Sequence, residues 1–467
     1  LLGLALILGA ALRFYRLGAA DLSADEAAAW AAAAAPDAAA VAARQSALDA
    51  GKLALYDLAL HEWINAFGDR VATMRALSAI LGVVVIVLAF AATREVMVVL
   101  GGAQEAEYAT LAGAFAALLV AVDLVLVNQS RTARMYPLML AMELAQVTCF
   151  VRAQSGRLRI GDRAASLFGT ALFSALAIAA NFTAGLLIAS EAAWLGWVFL
   201  WRVGGRGRGR GAQLHLLAPA FALGTGMAML APFSFAAGHV AIGALDSGAL
   251  AWARLRPPWW PLEMLRRASG KAPFLLFAPL ALYAAWRMGR SEGRAALGFL
   301  LCWLLVPMAL VMAVSYAITP IEETRYVISS VVAFFIVTAA GFASIANTRL
   351  RAALVVLMLA LSLAHVQRGF RRPAFAHWRA ATDLSLVQAG ADGRIGVAPA
   401  YAINVVRYYL PAAQRSRVEP ARRVCGTRQQ VLILGGIHIL SPARVAELRG
   451  CYPHLVRRLR FIEVRLR

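Results

Sequence analysis

Lysine is almost missing from this 467-residue chain: of 46 basic residues, only Lys52 and Lys271 are lysines. Acids are also scarce, 25 against those 46 bases, which leaves a net charge of +21. Charged residues make up only 15% of the chain and hydrophobic ones 61%, a balance that excludes an ordinary soluble domain. The four cysteines form no Cys/His cluster with zinc-site spacing, so no tightly bound structural metal is expected. Cys149 and Cys302 fall in apolar runs and read as packing residues. Cys425 and Cys451 lie near the end of the chain, where a disulfide is open to them in an exported domain, although spacing alone does not pair them. No nucleic-acid motif accompanies the positive charge, so the expected partners are anionic membrane lipids and not nucleic acid. Ala- and Arg-rich, Lys-poor usage is the pattern of a GC-rich bacterial genome.

What is abundant is apolar sequence in runs of about twenty residues, enough to cross roughly 30 Å of hydrocarbon. Mean hydropathy is +0.67. Eleven membrane helices are expected, over residues 1–17, 71–93, 108–127, 135–151, 164–180, 183–201, 214–235, 272–287, 295–317, 326–346 and 351–367. The first apolar stretch, Leu1 to Leu12, reaches only about 18 Å as a helix. It reads as a truncated membrane helix and not a signal peptide, since no small-residue cleavage site follows. Short loops carry clustered arginines at 152–163, 202–210, 287–294 and 349–351, which makes them cytoplasmic by the positive-inside rule. Alternation then puts residues 18–70, 128–134, 236–271, 318–325 and everything after 368 outside.

The 18–70 loop agrees, with eight acids against Arg44, Lys52 and Arg70. Within it, residues 26–47 and 52–67 read as helices near the interface, the second with Leu53, Tyr56, Leu60, Trp63 and Phe67 at helical spacing. The alternating Gly204–Gly211 stretch reads as a flexible positive-inside loop. After residue 368 the pattern changes: Arg394–Pro399 and Gln430–Leu434 read as buried strands, Ser441-Pro442 as a helix start, and Ile462–Leu466 as an alternating strand. Two domains are therefore expected, a membrane domain over 1–367 and a small extracytoplasmic α/β domain over 368–467.

Candidate site residues gather on the outer boundary of this topology. Asp25-Glu26 follows the first apolar segment, carboxylates placed where a chain leaves the bilayer and a half-submerged substrate is reachable. Ser23-x-x-Glu26 is equally a capping box. Lys52 to Tyr56, Ala133-Arg134-Met135-Tyr136 and Glu323-Thr324-Arg325-Tyr326 fall on the same side, although basic residues and tyrosines also serve as headgroup anchors there. Asp123, Glu143 and Glu191 lie inside expected helices, where an ionisable group marks either function or a polar partner. Asp123 is about one turn below the outer end of its helix.

In these motifs, in their order and spacing, the sequence from about Arg13 to Tyr326 resembles the GT-C membrane glycosyltransferases of family 39 type, the protein O-mannosyltransferases and aminoarabinose transferases. The resemblance implies a polytopic helical GT-C fold and transfer of a sugar from a polyprenyl-phosphate donor. It puts the catalytic carboxylate on Asp25, with Glu26 beside it, and phosphate binding on Lys52, Arg134 and Arg325. Tyr56, Asp123, Tyr136 and Tyr326 are supporting candidates. The family's Lys-Pro-Pro-Leu-Tyr element is here Lys52-Leu53-Ala54-Leu55-Tyr56, without its prolines, and Thr132 stands where an acid often precedes the motif arginine. The implied reaction inverts the anomeric centre on the outer face of a bacterial plasma membrane, with a lipid, glycan or protein acceptor in the envelope. It needs no metal, and a weakly held divalent cation is compatible with it. A flippase or permease for a lipid-linked or anionic solute is the competing class, and a non-catalytic GT-C homologue a third; no transporter-type repeat or pair of broken helices favours the former.

Overall fold

In the bilayer a backbone has no water to bond, so apolar runs satisfy their own N–H and C=O groups as helices. A computed structural model describes residues 1–49, 52–102, 106–204, 217–229, 255–318, 320–321, 323–371, 377–421, 429–435 and 440–467. In chain order its helices are α1 (Leu2–Phe14), α2 (Ala24–Ala33), α3 (Ala38–Leu48), α4 (Leu55–Phe67), α5 (Val71–Glu95), α6 (Ala106–Val122), α7 (Leu124–Ser130), α8 (Tyr136–Ala153), α9 (Ile160–Ala180) and α10 (Gly185–Gly204). There follow α11 (Leu217–Met229), α12 (Trp260–Ser269), α13 (Lys271–Gly289), α14 (Arg294–Ala317), α15 (Ile328–Ala343), α16 (Thr348–Arg371), α17 (Trp378–Ala389), α18 (Ile403–Tyr409) and α19 (Pro442–Cys451).

Among the described residues six helices are long and apolar enough to cross a membrane, or up to eight if the bent pairs α6–α7 and α12–α13 each count as one span. Three of the eleven expected segments coincide with α1, α8 and α11, which fall short by length or composition. The chain is a multi-pass helical membrane protein. Residues 205–216 and 230–254, with most of the Gly-Arg loop and part of the expected 214–235 helix, lie outside the described residues, as do Gly51 and Cys425.

The chain divides into two compact units. The first comprises Leu1–Tyr15, Ala50–Tyr56 and Ala76–Gly369. At its centre is α15, buried along its whole length between α6, α13 and α14. Phe115 of α6 stacks on Phe342 of α15 with ring centroids 3.8 Å apart. A second aromatic group, Phe150, Trp194, Phe299 and Trp303, joins α8, α10 and α14. Arg13, fully buried, ends α1 by donating to the carbonyls of Val120 and Ala121 at the end of α6. It passes over Gly82, where an added Cβ would fall onto Ser130 and the guanidinium itself.

Two expectations in this unit need correction. No pair of broken helices was expected, yet α6–α7 and α12–α13 are each bent at a short break, by 65° and 113°. Asp123 is not inside a continuous helix but at a break of 65° between α6 and α7. Its carboxylate accepts from the Leu126 amide at 2.9 Å, capping the new helix. A short acid that can bond backbone N–H groups starts a helix as readily as it interrupts one.

The second unit comprises Arg16–Asp49, Asp57–Arg75 and Phe370–Arg467. The helix expected over 26–47 is two helices here. Pro36 has no N–H with which to continue α2, and Asp37 caps α3 by accepting from Ala40 N at 2.8 Å. The strands are β1 (Arg394–Ala398), β2 (Val418–Pro420), β3 (Gln429–Gly435), β4 (His454–Leu459) and β5 (Ile462–Leu466), in the order β2-β1-β3-β5-β4. β1 is parallel to both β2 and β3, while β5 is antiparallel to β3 and β4. Ser441 caps α19 from its expected place, accepting from Arg444 N. On one face Leu432 and Leu434 of β3 pack with Val445, Leu448 and Tyr452. Cys451 is disulfide-bonded, and Cys149 and Cys302 are free.

In this unit α18 packs on α2, tying the C-terminal sheet to the first loop. Three hydrogen bonds fix the joint: Leu22 N donates to Tyr409 Oη at 2.8 Å, Arg379 N to Asp21 Oδ2 at 3.0 Å, and Tyr408 Oη to Asp69 O at 2.8 Å. Burial of the two phenols pushes both above the ordinary tyrosine value, Tyr408 to about 12.

Candidate active site

In the second unit Ser23 is the N-cap of α2, and the full capping box forms: Ser23 Oγ accepts from Glu26 N, and Glu26 Oε2 accepts from Ser23 N at 2.9 Å. Glu26 is fully buried. Its second partner is Arg75, whose Nε reaches Oε1 at 2.7 Å and whose Nη2 reaches Oε2 at 2.9 Å. The same guanidinium donates to the carbonyls of Leu17, Ala20 and Asp21. All five N–H groups of Arg75 thus pin the incoming loop to the first turn of α2.

Asp25 sits in that turn with its side chain exposed, one residue from the anchor. A carboxylate at a helix N-terminus meets favourable backbone N–H groups. Its negative charge is felt by the half-exposed Tyr401, whose phenol is pushed up first by burial and then by Asp25. The geometry separates the pair: Glu26 is buried and bonded to Ser23 and Arg75, while Asp25 is exposed one residue away.

The first unit holds the other candidates. Lys52 is half-buried ahead of α4. Tyr56, 2% exposed, bonds Ser78 Oγ of α5 at 2.9 Å. Ser78 Oγ donates to the carbonyl of Arg134 at 3.1 Å, so Tyr56 is the donor to Ser78. Two motifs nearly eighty residues apart in sequence are thereby joined through one serine. Arg134 is largely buried in the loop between α7 and α8, and Tyr136 is buried at the start of α8. Neighbouring Arg131 caps α1 through the carbonyls of Leu12 and Tyr15.

Arg325 lies in a short 3-10 turn, Thr324–Val327, with its guanidinium 5.4 Å from the centre of the Tyr326 ring. With Glu323, Thr324 and the α7 residues Val125, Asn128 and Gln129 it lines a cavity of about 400 Å³. Arg325 and α7 share this cavity, whereas Arg134 does not line it. Asp123 interacts electrostatically with Arg13, which makes it part of the α1–α6 joint. Of the other intramembrane acids, Glu191 accepts from Gln146 Nε2 at 2.6 Å and Glu143 is buried on α8. Among the described residues no group of three or more His, Cys, Asp or Glu side chains is placed to hold a metal ion.

Arg75 and Ser78 were not expected as site residues. The signal was present for Arg75: a lone arginine in the first turns of an apolar helix needs a partner, and the buried acid of a capping box supplies one. Ser78 carries no such mark, since a serine in a membrane helix usually bonds its own helix.

No protein-family model and no curated protein matches the sequence. Solved structures do match over nearly its whole length. The chain is similar to ArnT from Cupriavidus metallidurans bound to undecaprenyl phosphate, at 12% identity and a TM-score of 0.64, over 99% of this chain and 97% of that one. It is also similar to the oligosaccharyltransferase of Archaeoglobus fulgidus in complex with zinc and sulfate, at 11% identity and a TM-score of 0.57, over 93% of this chain and 67% of that one. A further match is AglB of the same organism with an inhibitory peptide and a dolichol-phosphate, at 11% identity and a TM-score of 0.58, over 93% of this chain and 69% of that one.

Proposed function

From a membrane chain with the GT-C fold, we propose an inverting glycosyltransferase that moves a sugar from a polyprenyl-phosphate-linked donor to an acceptor in the bacterial cell envelope. The observation that carries the proposal is the Tyr56–Ser78–Arg134 chain, which joins the two motifs expected to hold phosphate. The solved ArnT structure with undecaprenyl phosphate supports the donor class. In this reading the reaction takes place on the extracytoplasmic face of the plasma membrane, and residues 368–467 form an extracytoplasmic domain.

A sugar on a polyprenyl phosphate is already activated, because its leaving group is a phosphate monoester stable as an anion. Asp25 takes the proton of the acceptor hydroxyl while that oxygen attacks the anomeric carbon. The bond from the anomeric carbon to the phosphate oxygen breaks on the opposite side, so configuration inverts and the electron pair leaves with the phosphate. Lys52, Arg134 and Arg325 bind that phosphate and offset its growing charge, with the arginines able to grip two oxygens each. Glu26 and Arg75 position Asp25 and take no part in the proton transfer.

Native mass spectrometry of the protein extracted from its own membranes tests the donor. Wild type is expected to carry polyprenyl phosphate or its glycosylated form, and Lys52→Ala and Arg134→Ala to lose it. Asp25→Asn should keep the lipid and lose transfer. Wild type without such a lipid, under conditions that retain other lipids, overturns the reading.

A further inference from the structure

The second unit contains a cavity of about 510 Å³ between α2, α3, α18 and the turn that leads into β2. Its polar lining is Arg44, Asn404, Arg407, Arg415 and Ser416, with alanines and a leucine of α2 and α3 as the apolar wall. No residue here is among those given to the donor phosphate above. Among the described residues no Asp or Glu lines the cavity, and none of the three arginines forms an ion pair.

The arginines are held with donors to spare. Arg415 lies over the Trp30 ring, 4.9 Å from its centre, and its Nε donates to the carbonyls of Arg407 and Leu410. Both of its terminal nitrogens are left for a ligand. Stacking and the backbone bonds fix the plane of the guanidinium in advance, so little rotamer freedom is lost on binding. Arg407 donates from Nη2 to Val418 O at 3.1 Å, while its Nε is buried with no partner. Arg44 makes a single long bond to Ala31 O at 3.4 Å. Asn404 is 7% exposed and its amide bonds no protein group among the described residues. Asn404 lines the cavity, so its amide is within reach of a ligand there.

Three guanidinium groups in one concavity, without an acid, repel one another, and an anion that carries more than one charge would offset that repulsion. Arginine forks match the oxygens of a phosphate in pairs. A cavity of this size lies within the range of organic ligand sites and is much larger than a bare phosphate requires. The amide of Asn404 and the hydroxyl of Ser416 suit the hydroxyl groups of a polyol, and the alanine wall suits its carbon face. We propose that this cavity binds a phosphate monoester carried on a polyol, either a phosphorylated sugar or a lipid headgroup, through Arg44, Arg407 and Arg415.

Calorimetric titration of the full chain in neutral detergent tests this without reference to turnover. The probes are glucose 6-phosphate for the sugar source, dihexanoyl phosphatidic acid for the lipid source, and glucose as the uncharged control. At least one phosphate probe is expected to bind, glucose is not, and affinity should fall with added salt. Arg44→Gln and Arg407→Gln should each weaken binding by about tenfold or more, the loss typical of a charge-assisted pair. Arg44 is exposed, so its variant folds normally and separates ligand loss from unfolding. The tighter of the two phosphate probes identifies the source. Failure of both at millimolar concentration, or equal binding to wild type and the two variants, overturns the proposal.

Discussion

Replacing Glu26 by glutamine probes the joint on which the placement of Asp25 depends. The side chain of Glu26 is fully buried and that of Arg75 is 3% exposed. Glutamine keeps the shape but removes the charge, and it sets an NH₂ group against donors that now meet a carboxylate, either Arg75 or the Ser23 amide. Arg75 then remains a buried cation without a counter-charge, held by the carbonyls of Leu17, Ala20 and Asp21 and by the one amide oxygen that still faces it. Removing one partner of a buried pair typically costs about 3–5 kcal/mol. At about 1.4 kcal/mol for each factor of ten, local opening of the α2 turn becomes roughly a hundred- to several-thousand-fold more frequent. Hydrogen exchange of the peptides covering residues 20–33, in detergent and at fixed pH, reads this as lost amide protection. Glu26→Leu with Arg75→Met should recover part of the loss, because neither charge is then stranded. A fall in protection smaller than about tenfold for Glu26→Gln, or a double variant worse than the sum of the two single ones, would refute the claim that this pair anchors the turn.

Other outcomes follow from the same geometry. Asp25→Asn changes an exposed side chain, so folding should be unaffected while transfer falls by about 10²–10⁴-fold, the usual share of a general base; a variant with near-normal turnover would rule Asp25 out. Ser78→Ala removes the hydrogen bonds to the Tyr56 hydroxyl and the Arg134 carbonyl at a cost of about 1–3 kcal/mol. Its expected signature is a raised KM for the lipid donor and a lowered unfolding temperature, with kcat nearly kept. Glu463, buried between Arg449, Arg458 and Arg465, gives a pH test. Burial pushes its carboxyl up, but the arginine hydrogen bonds outweigh that and hold it below its ordinary 4.5. A depressed value means that the cluster contributes stability above the unfolded pKa and loses it as pH falls through the folded one. Glu463→Gln should therefore lower the unfolding temperature at neutral pH, with the difference from wild type shrinking below about pH 4.5. A gap that stays constant down to pH 2 would contradict the cluster's role.

The elements were legible where local chemistry is strong. Ser441-Pro442 announced α19, the alternation at Ile462–Leu466 announced β5, and Ser23-x-x-Glu26 announced its capping box. The reading weakened where two signals competed. A long alanine-rich run over 26–47 looked like one helix because its apolar period continues through Pro36, yet the missing N–H decides the matter. Asp123 was read by its apolar surroundings, whereas its own carboxylate breaks the helix and caps the next. β4 escaped notice because it is an edge strand, exposed at most positions, with arginines in place of a buried alternation.

The sequence by itself determined that this chain spans a membrane with many helices and ends in an α/β segment. These properties live in composition and short-range spacing, which survive without knowledge of contacts. The tertiary structure alone decided which member of the acidic pair is buried, because that depends on Arg75, forty-nine residues away from Glu26 in sequence. It alone set Ser78 between Tyr56 and Arg134, and gathered Arg44, Arg407 and Arg415 around one cavity. Hydrogen-bond partners and charge clusters are fixed by how helices pack, and packing brings together residues whose separation along the chain carries no sign of their meeting.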